Sequence, residues 1–387
     1  MKTYYFFFIL LLLANCKKNT EHPSENQRIP DTPKPSTTLS QISHAKGFTV
    51  EKQGAITVIS VSSPWNESEE TFTYALIDKT EMAFTTLPAD QYDAIIGVPV
   101  EKVVVTSTTH IPVLEMLGVE HTLTAFPNTE FISSQKTRKL IEKGQIKELG
   151  KNETINTEVL LDLQPEVVVG FSIDNRNKAY ETIRKSNIPV VYNGDWTEQT
   201  PLGKAEWIKF FAPFFKKEKE ADSIFSSIEK EYENAKKMVQ SASNKPTVLA
   251  GAMYKDVWYL PAGNSWAAQF LKDANAAYLW EDTEGTGSLS LNFENVLEKG
   301  QKADFWIGPS QFVSYKEIEE ANQHYMKFKA FKDRKVFTFS LTRGPTGGVL
   351  YYELAPNRPD IVLKDLIHII HPGILPDHQP YFLKPLE

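Results

Sequence analysis

The chain of 387 residues carries 42 Lys and Arg against 49 Asp and Glu, a net charge of −7. That balance excludes a dominant affinity for nucleic acid, because no basic excess is available to displace phosphate counterions, and no Gly-rich phosphate loop is present. An apolar fraction of 41% and a charged fraction of 24% are those of an ordinary globular protein, and the length accommodates roughly two domains of ~100 to 200 residues.

The chain opens with "MKTYYFFFILLLLANC": a basic Lys2, an apolar run from Tyr4 to Ala14, then the single cysteine, Cys16. The run is far shorter than the ~20 residues of a transmembrane helix and reads as an export signal over 1–15. Leu13-Ala14-Asn15-Cys16 resembles a bacterial lipoprotein box, in which the thiol is lipidated after cleavage, although Gly, Ala or Ser is commoner where Asn15 stands. With its one cysteine the chain has no internal disulfide, and stability must come from packing. Lipidated Cys16 would hold the mature protein to a membrane in the cell envelope. From there to about residue 46 the sequence is rich in Pro, Ser, Thr and charge, a composition that cannot offset its ordering entropy, so 16–46 is expected to be a flexible tether.

The folded part is expected near Phe48. "FTVEKQGAITVISVSS" and "FTYALID" are β-rich, with Asn66-Glu67-Ser68 as the turn. Short apolar strands then alternate with helical stretches: "EKVVVTS", "HIPVLEMLG", "SQKTRKLIEKG", "TEVLLDLQ", "PEVVVGFS", "NKAYETIRKSN" and "IPVVYN". This rhythm predicts βαβ units and a mostly parallel sheet covered on both faces, in a first α/β lobe over 47–200.

Residues 201–243 read differently. "PLGKAEWIKFFAPFF" is amphipathic until Pro213, and a long helix follows with apolar positions at Ala221, Ile224, Phe225, Ile228, Tyr232, Ala235 and Met238. Spacings of three and four place these on one stripe. About 26 helical residues would span ~39 Å, enough for a stiff strut between lobes, with an isolated surface helix as the alternative. From 244 to 387 the alternation resumes in "PTVLAGAMY", "VWYLPAG", "SWAAQFLKDANA", "NFENVLEKG", "ADFWIGPS", "VFTFS" and "RPDIVLKDLIHII", predicting a second α/β lobe. The expected architecture is two Rossmann-like lobes joined by one long rigid helix.

One unit recurs. Glu158 leads a helix into the strand "EVVVG", and Glu294 leads one into "DFWIG", so each lobe carries an acidic residue at a helix start. Five segments in order, "STTHIPVLEMLG", "IKELGKNETINTEVLLDLQPEVVVG", "PLGKAEWIKFFAPFF", "NFENVLEKGQKADFWIG" and "RPDIVLKDLIHIIHP", together resemble the solute-binding proteins of ABC importers for iron-siderophore, haem and cobalamin. The likeness covers nearly all of 48–372. It implies a monomeric receptor, an ABC permease as partner, and a ferric siderophore, haem or cobalamin captured between the two lobes as ligand rather than a resident cofactor. It also implies that Glu158 and Glu294 dock onto permease arginines. On physical grounds alone a first-turn glutamate also stabilises its helix by ~0.3 to 1 kcal/mol.

In open parallel sheets ligands bind beyond the carboxyl ends of the strands. That rule nominates Thr108, Thr109 and His110, then Phe171 and Ser172, then Asp195 and Trp196 in the first lobe. In the second it nominates Met253 and Tyr254, Ser310, and Arg343, with Trp258 and Trp266 flanking the "YLPAGN" turn. Aromatic walls suit the frame of an organic metal complex, and Arg343 would meet its anionic oxygens. Each Trp could equally be core, Arg343 a solvated loop residue, and His110 a capping or packing residue. The scattered histidines, His368 and His371 included, give no metal-ligand spacing, so iron would arrive already chelated. A glycosidase using Glu158 and Glu294 would need both carboxyls within ~10 Å, whereas separate lobes place them apart. A surface adhesin, the other rival, would lack a ligand cleft. The sequence is therefore read as a non-enzymatic receptor.

Overall fold

Residues 37–38, 41–88, 90–174 and 176–387 are described by a computed structural model. The expected signal and Cys16 lie outside them.

The first sheet is a β-meander of β1 (Thr37–Thr38), β2 (Phe48–Gln53), β3 (Ile56–Ser62), β4 (Thr71–Asp78) and β5 (Ala94–Val98), in that order, antiparallel except for the parallel β4–β5 pair. Phe48 and Val50 are buried while Thr49 is exposed, the period of a strand with one face on a core. Gln53 pairs Ile56 across a two-residue turn in which Gly54 has φ +64°, a left-handed conformation that glycine adopts without Cβ strain. The sequence pattern marks neither β5 nor a separate sheet here.

The expected parallel sheet of lobe one is present. Its strands β6 (Val103–Val105), β7 (Leu123–Phe126), β8 (Lys147–Glu148), β9 (Val167–Gly170) and β10 (Val190–Tyr192) run in the order β10-β9-β6-β7-β8, all parallel. Val103, Val104 and Val105 are all fully buried, as a strand covered on both faces requires. Helices α1 (His110–Met116), α2 (Gln135–Glu142), α3 (Thr157–Leu163) and α4 (Lys178–Lys185) make the connections. Ser134, Asn156 and Asn177 start α2, α3 and α4 by accepting backbone N–H groups of the first turn. The chain winds one way from β6 to β7 and the other way to β9, so the topological switch lies between β6 and β9.

Between the lobes come α5 (Pro201–Ala205), α6 (Ile208–Phe215) and α7 (Glu218–Val239). The amphipathic reading of the first stretch does not hold. Pro213 sits inside α6, and every residue of α6 is buried, because the helix is enclosed by α1, α7, β2 and β5. With 22 residues α7 spans about 33 Å. Its buried stripe is Ala221, Phe225, Ile228, Tyr232, Ala235 and Val239, so Val239 takes the place expected for Met238, which is 47% exposed. Ala221, Phe225 and Ile228 belong to the core of lobe one; Tyr232, Ala235 and Val239 belong to that of lobe two. One helix face thus feeds both cores, which is the packing a strut needs.

The end of the expected tether is fastened to this region. The buried carboxylate of Glu206 accepts backbone N–H groups from Ser43, His44 and Ala45, and Glu198 accepts those of Lys46 and Gly47. The His44 ring lies 2.6 Å from Glu229 of α7. The body therefore takes in residues assigned above to the tether.

Lobe two contains β11 (Thr247–Ala250), β12 (Ala252–Tyr254), β13 (Val257–Pro261), β14 (Ala277–Tyr278), β15 (Ser288–Leu291), β16 (Phe305–Ile307), β17 (Val336–Thr338) and β18 (Lys384–Pro385). Its main sheet has the order β14-β11-β16-β17-β18, parallel except at β18, and β12-β13-β15 form a small antiparallel sheet. The helices are α8 (Trp266–Asp273), α9 (Phe293–Gly300), α10 (Tyr315–Ala321), α11 (Lys329–Lys332), α12 (Leu350–Leu354) and α13 (Pro359–Ile370). α13 packs along α7, and buried Asp365 on it accepts the backbone N–H groups of Tyr381, Phe382 and Leu383, pinning the C-terminal segment. Here the switch lies between β11 and β16.

Candidate ligand-binding site

An apolar hollow lies at that switch. A cavity of about 480 Å³ opens beyond the carboxyl ends of β11 and β16, floored by Ala250, Gly251, Ile307 and Gly308. The volume is that of a small-molecule site. Gly251 has φ +75°, and a Cβ there would lie 1.9 Å from the Tyr259 carbonyl oxygen, so the chain can pass under the small sheet only as glycine. Two indoles brace the floor from below: Trp258 Nε1 donates to the Ala250 carbonyl at 3.0 Å, and Trp306 Nε1 to that of Gly251 at 2.7 Å.

The small antiparallel sheet supplies one wall through Tyr254, Tyr259 and Ser288. The opposite wall is a stack of rings. Tyr351 lies nearly parallel to Phe339 at 4.4 Å and to Trp266 at 6.0 Å, while Tyr352 meets Phe339 edge-on at 5.5 Å. Such packed rings present a rigid apolar face.

Two parts of this wall are tied to lobe one. The buried ammonium of Lys204 donates to the carbonyls of Asp195 and Trp196, both at 3.0 Å, and sits 5.4 Å from the Trp266 ring centre. Burial pushes the Lys204 pKa down, opposed by Asp195 and Glu198. The carboxylate of Glu353, next to Tyr352 on α12, accepts the backbone N–H groups of Ser133 and Ser134. Burial is the main cause that pushes Glu353 up to about 7, with Glu115 acting in the same direction. Asn357 adds a hydrogen bond to the Thr109 carbonyl.

The sequence candidates distribute unevenly. Tyr254, Trp266 and Ser310 line the cavity. Trp258 does not: it is fully buried on the central strand β13, stacked on Trp306, and supports the floor from the core side. Arg343 is not in the lining either. Its bend closes through a bridge between Arg343 and Val349, and the guanidinium donates to Gly347 O within the turn. In lobe one Phe171 and Trp196 meet edge-to-face at 5.7 Å, Thr109 donates to Asp195, and Thr108 is half-buried beside them. Tyr180 holds this strand-end region together, its hydroxyl within 3.0 Å of Thr106, Asn152 and the Phe171 carbonyl. His110 is fully buried against Phe211, and burial pushes its pKa down, opposed by Asp195 and Asn193.

Glu158 and Glu294 occupy matching places. Each is exposed, two residues after an asparagine N-cap, Asn156 or Asn292, and neither has an ion-pair partner among the described residues. Missed by the sequence reading were Tyr259, Phe339, Tyr351, Tyr352, Lys204 and Glu353. Phe339 directly follows "VFT" and was within reach of the strand-end rule.

Among the described residues no group of three or more His, Cys, Asp or Glu could hold a metal ion, and no helix is long and apolar enough to cross a membrane.

The same architecture occurs in known proteins. An uncharacterized lipoprotein of Methanocaldococcus jannaschii is 28% identical over 297 residues, 74% of this chain and 69% of its own. A periplasmic binding protein from Veillonella parvula superposes with a TM-score of 0.58 at 17% identity, covering 86% of this chain and 96% of that one. A possible iron-binding (periplasmic solute-binding) protein from Staphylococcus epidermidis gives 0.56 at 17% identity over 70% and 99%. The periplasmic haem-binding protein HutB of Vibrio cholerae gives 0.53 at 16% over 68% and 99%. The family model for periplasmic binding proteins matches residues 103–340, from the first strand of the parallel sheet to just past β17. With both lobes, the strut and the cavity inside or beside that match, this chain belongs to the periplasmic binding protein family.

Proposed function

We propose that this protein is the solute-binding lipoprotein of an ABC importer, taking a ferric-siderophore-type chelate into the lobe-two cavity and delivering it to the permease. The observation that carries this reading is the ring-walled cavity at the switch point, where a ligand with a large organic frame finds flat apolar surfaces. Structural neighbours that are a possible iron-binding protein and a haem-binding protein support the ligand class. In this reading exposed Glu158 and Glu294 pair with permease cations, a use that suits carboxylates free of internal partners. Lipidated Cys16 keeps the receptor at the envelope, and the protein performs no chemical turnover.

The test is titration of the purified protein with a ferric siderophore, haem and cobalamin, read by native mass spectrometry and by absorption spectra. Saturable binding of one chelate per chain, with a Kd of about 1 μM or tighter, is expected for one class. Failure of all three to bind would overturn the reading.

A further inference from the structure

We propose, resting on the receptor reading above, that the lobe-two cavity selects an uncharged chelate and discriminates against a polyanionic one. Among the described residues, none of the side chains lining the cavity carries a charge. Its polar groups are hydroxyls, chiefly those of Tyr254, Tyr259, Tyr351, Tyr352 and Ser310. Burial pushes the phenols of Tyr351 and Tyr352 up, so both remain neutral O–H groups across physiological pH.

Two cations lie close enough to be weighed against this. Lys204 touches the Trp266 ring, but its ammonium is already donated to two lobe-one carbonyls. Lys255 lies 5.4 Å from the Tyr254 ring centre, on an exposed hairpin turn where water and salt screen it. Arg343, the cation expected to receive anionic oxygens, lies outside the cavity lining, exposed on its bend with one guanidinium N–H on Gly347 O. A ligand bearing several net negative charges would therefore lose hydration on entry without gaining a counter-charge, an unfavourable exchange. A ligand whose metal charge is cancelled by its own donors loses far less, and its organic faces meet the Phe339, Tyr351 and Trp266 stack.

The experiment measures equilibrium binding of three probes: an uncharged ferric tris-hydroxamate, a trianionic ferric tris-catecholate, and haem. The uncharged complex should bind at least tenfold more tightly than the trianion, with little dependence on salt. Tyr254→Arg, at an exposed position on the rim, should shift that preference at least tenfold toward the trianion. A trianion that binds the native protein as tightly as the uncharged complex overturns the selectivity and leaves the receptor reading standing. A preference unmoved by Tyr254→Arg also overturns it, because the rim would then not govern charge. Binding by none of the three overturns the selectivity, and failure of cobalamin to bind as well overturns the receptor reading with it.

Discussion

The carboxylate of Glu353 on lobe two lies 2.6 Å from the backbone nitrogen of Ser133 and 2.9 Å from that of Ser134, both on lobe one at the head of α2. Gly344 and Gly348 close on the same serine, where a Cβ at either would fall about 2.6 Å or less from Ser133 atoms. The helix that makes this contact also carries Tyr351 and Tyr352 of the cavity wall, so the wall is positioned by lobe one as well as by its own core.

Glu353 gives the protein a pH-dependent contribution to stability with a definite sign. Its folded pKa, about 7, lies above the ordinary 4.5, so the folded state holds a proton where the unfolded state has released it. The contribution is complete below about 4.5 and is lost as pH rises through about 7. A shift of that size corresponds to about 3 kcal/mol. Melting temperatures from pH 4.5 to 8 should fall more steeply for the native protein than for Glu353→Gln. Parallel curves would remove Glu353 as the cause.

Arg343→Ala should leave the Kd within about twofold, since Arg343 is exposed and lies outside the cavity lining. Tyr352→Ala should weaken binding about tenfold or more, from lost ring contact of ~0.5 to 1.5 kcal/mol plus lost apolar burial. Calorimetric titration of both variants checks the contrast, and a large loss in Arg343→Ala alone would relocate the site to the bend.

Much of the fold was legible because its elements are strongly patterned. The continuous β-branched run of β6 suits a strand covered on both faces, and the stripe on α7 carries a helical period. Strands of two residues, such as β8 and β14, hold no period at all, and α12 has five residues and no side-chain cap, so neither could be read. Trp258 and Trp266 flank one turn and differ only in facing the core or the cavity, a distinction set by tertiary packing. Where Arg343 points was not legible because a Gly-rich bend can turn its side chain either way, and here one guanidinium N–H donates to Gly347 O in the same bend.

Phe225→Ala on α7 removes a ring from the lobe-one core and should cost about 3 to 5 kcal/mol in urea unfolding. Met238→Ala, at an exposed position on the same helix, should change stability by no more than ~0.5 kcal/mol. Equal effects would contradict the assignment of the stripe.

Glu158→Ala and Glu294→Ala should each leave chelate affinity intact and depress uptake in cells, with the double variant lower still. Charge reversal to Lys should hurt more than Ala, and raising salt should shrink the differences in receptor–permease association, because exposed pairs are screened within ~8 Å. Loss of chelate binding in either single variant, or normal uptake in the double one, would end the docking account.

The central claim is that the chelate occupies the ring-walled cavity of lobe two. Ala267 and Ser288 both line it, from α8 and β15, and each can be replaced by Trp to fill the space from a different side. The decisive measurement is equilibrium chelate binding to Ala267→Trp and Ser288→Trp beside thermal melting of each. The account predicts at least a hundredfold weaker binding with a melting temperature near that of the native protein. Native-like affinity in both folded variants would contradict it.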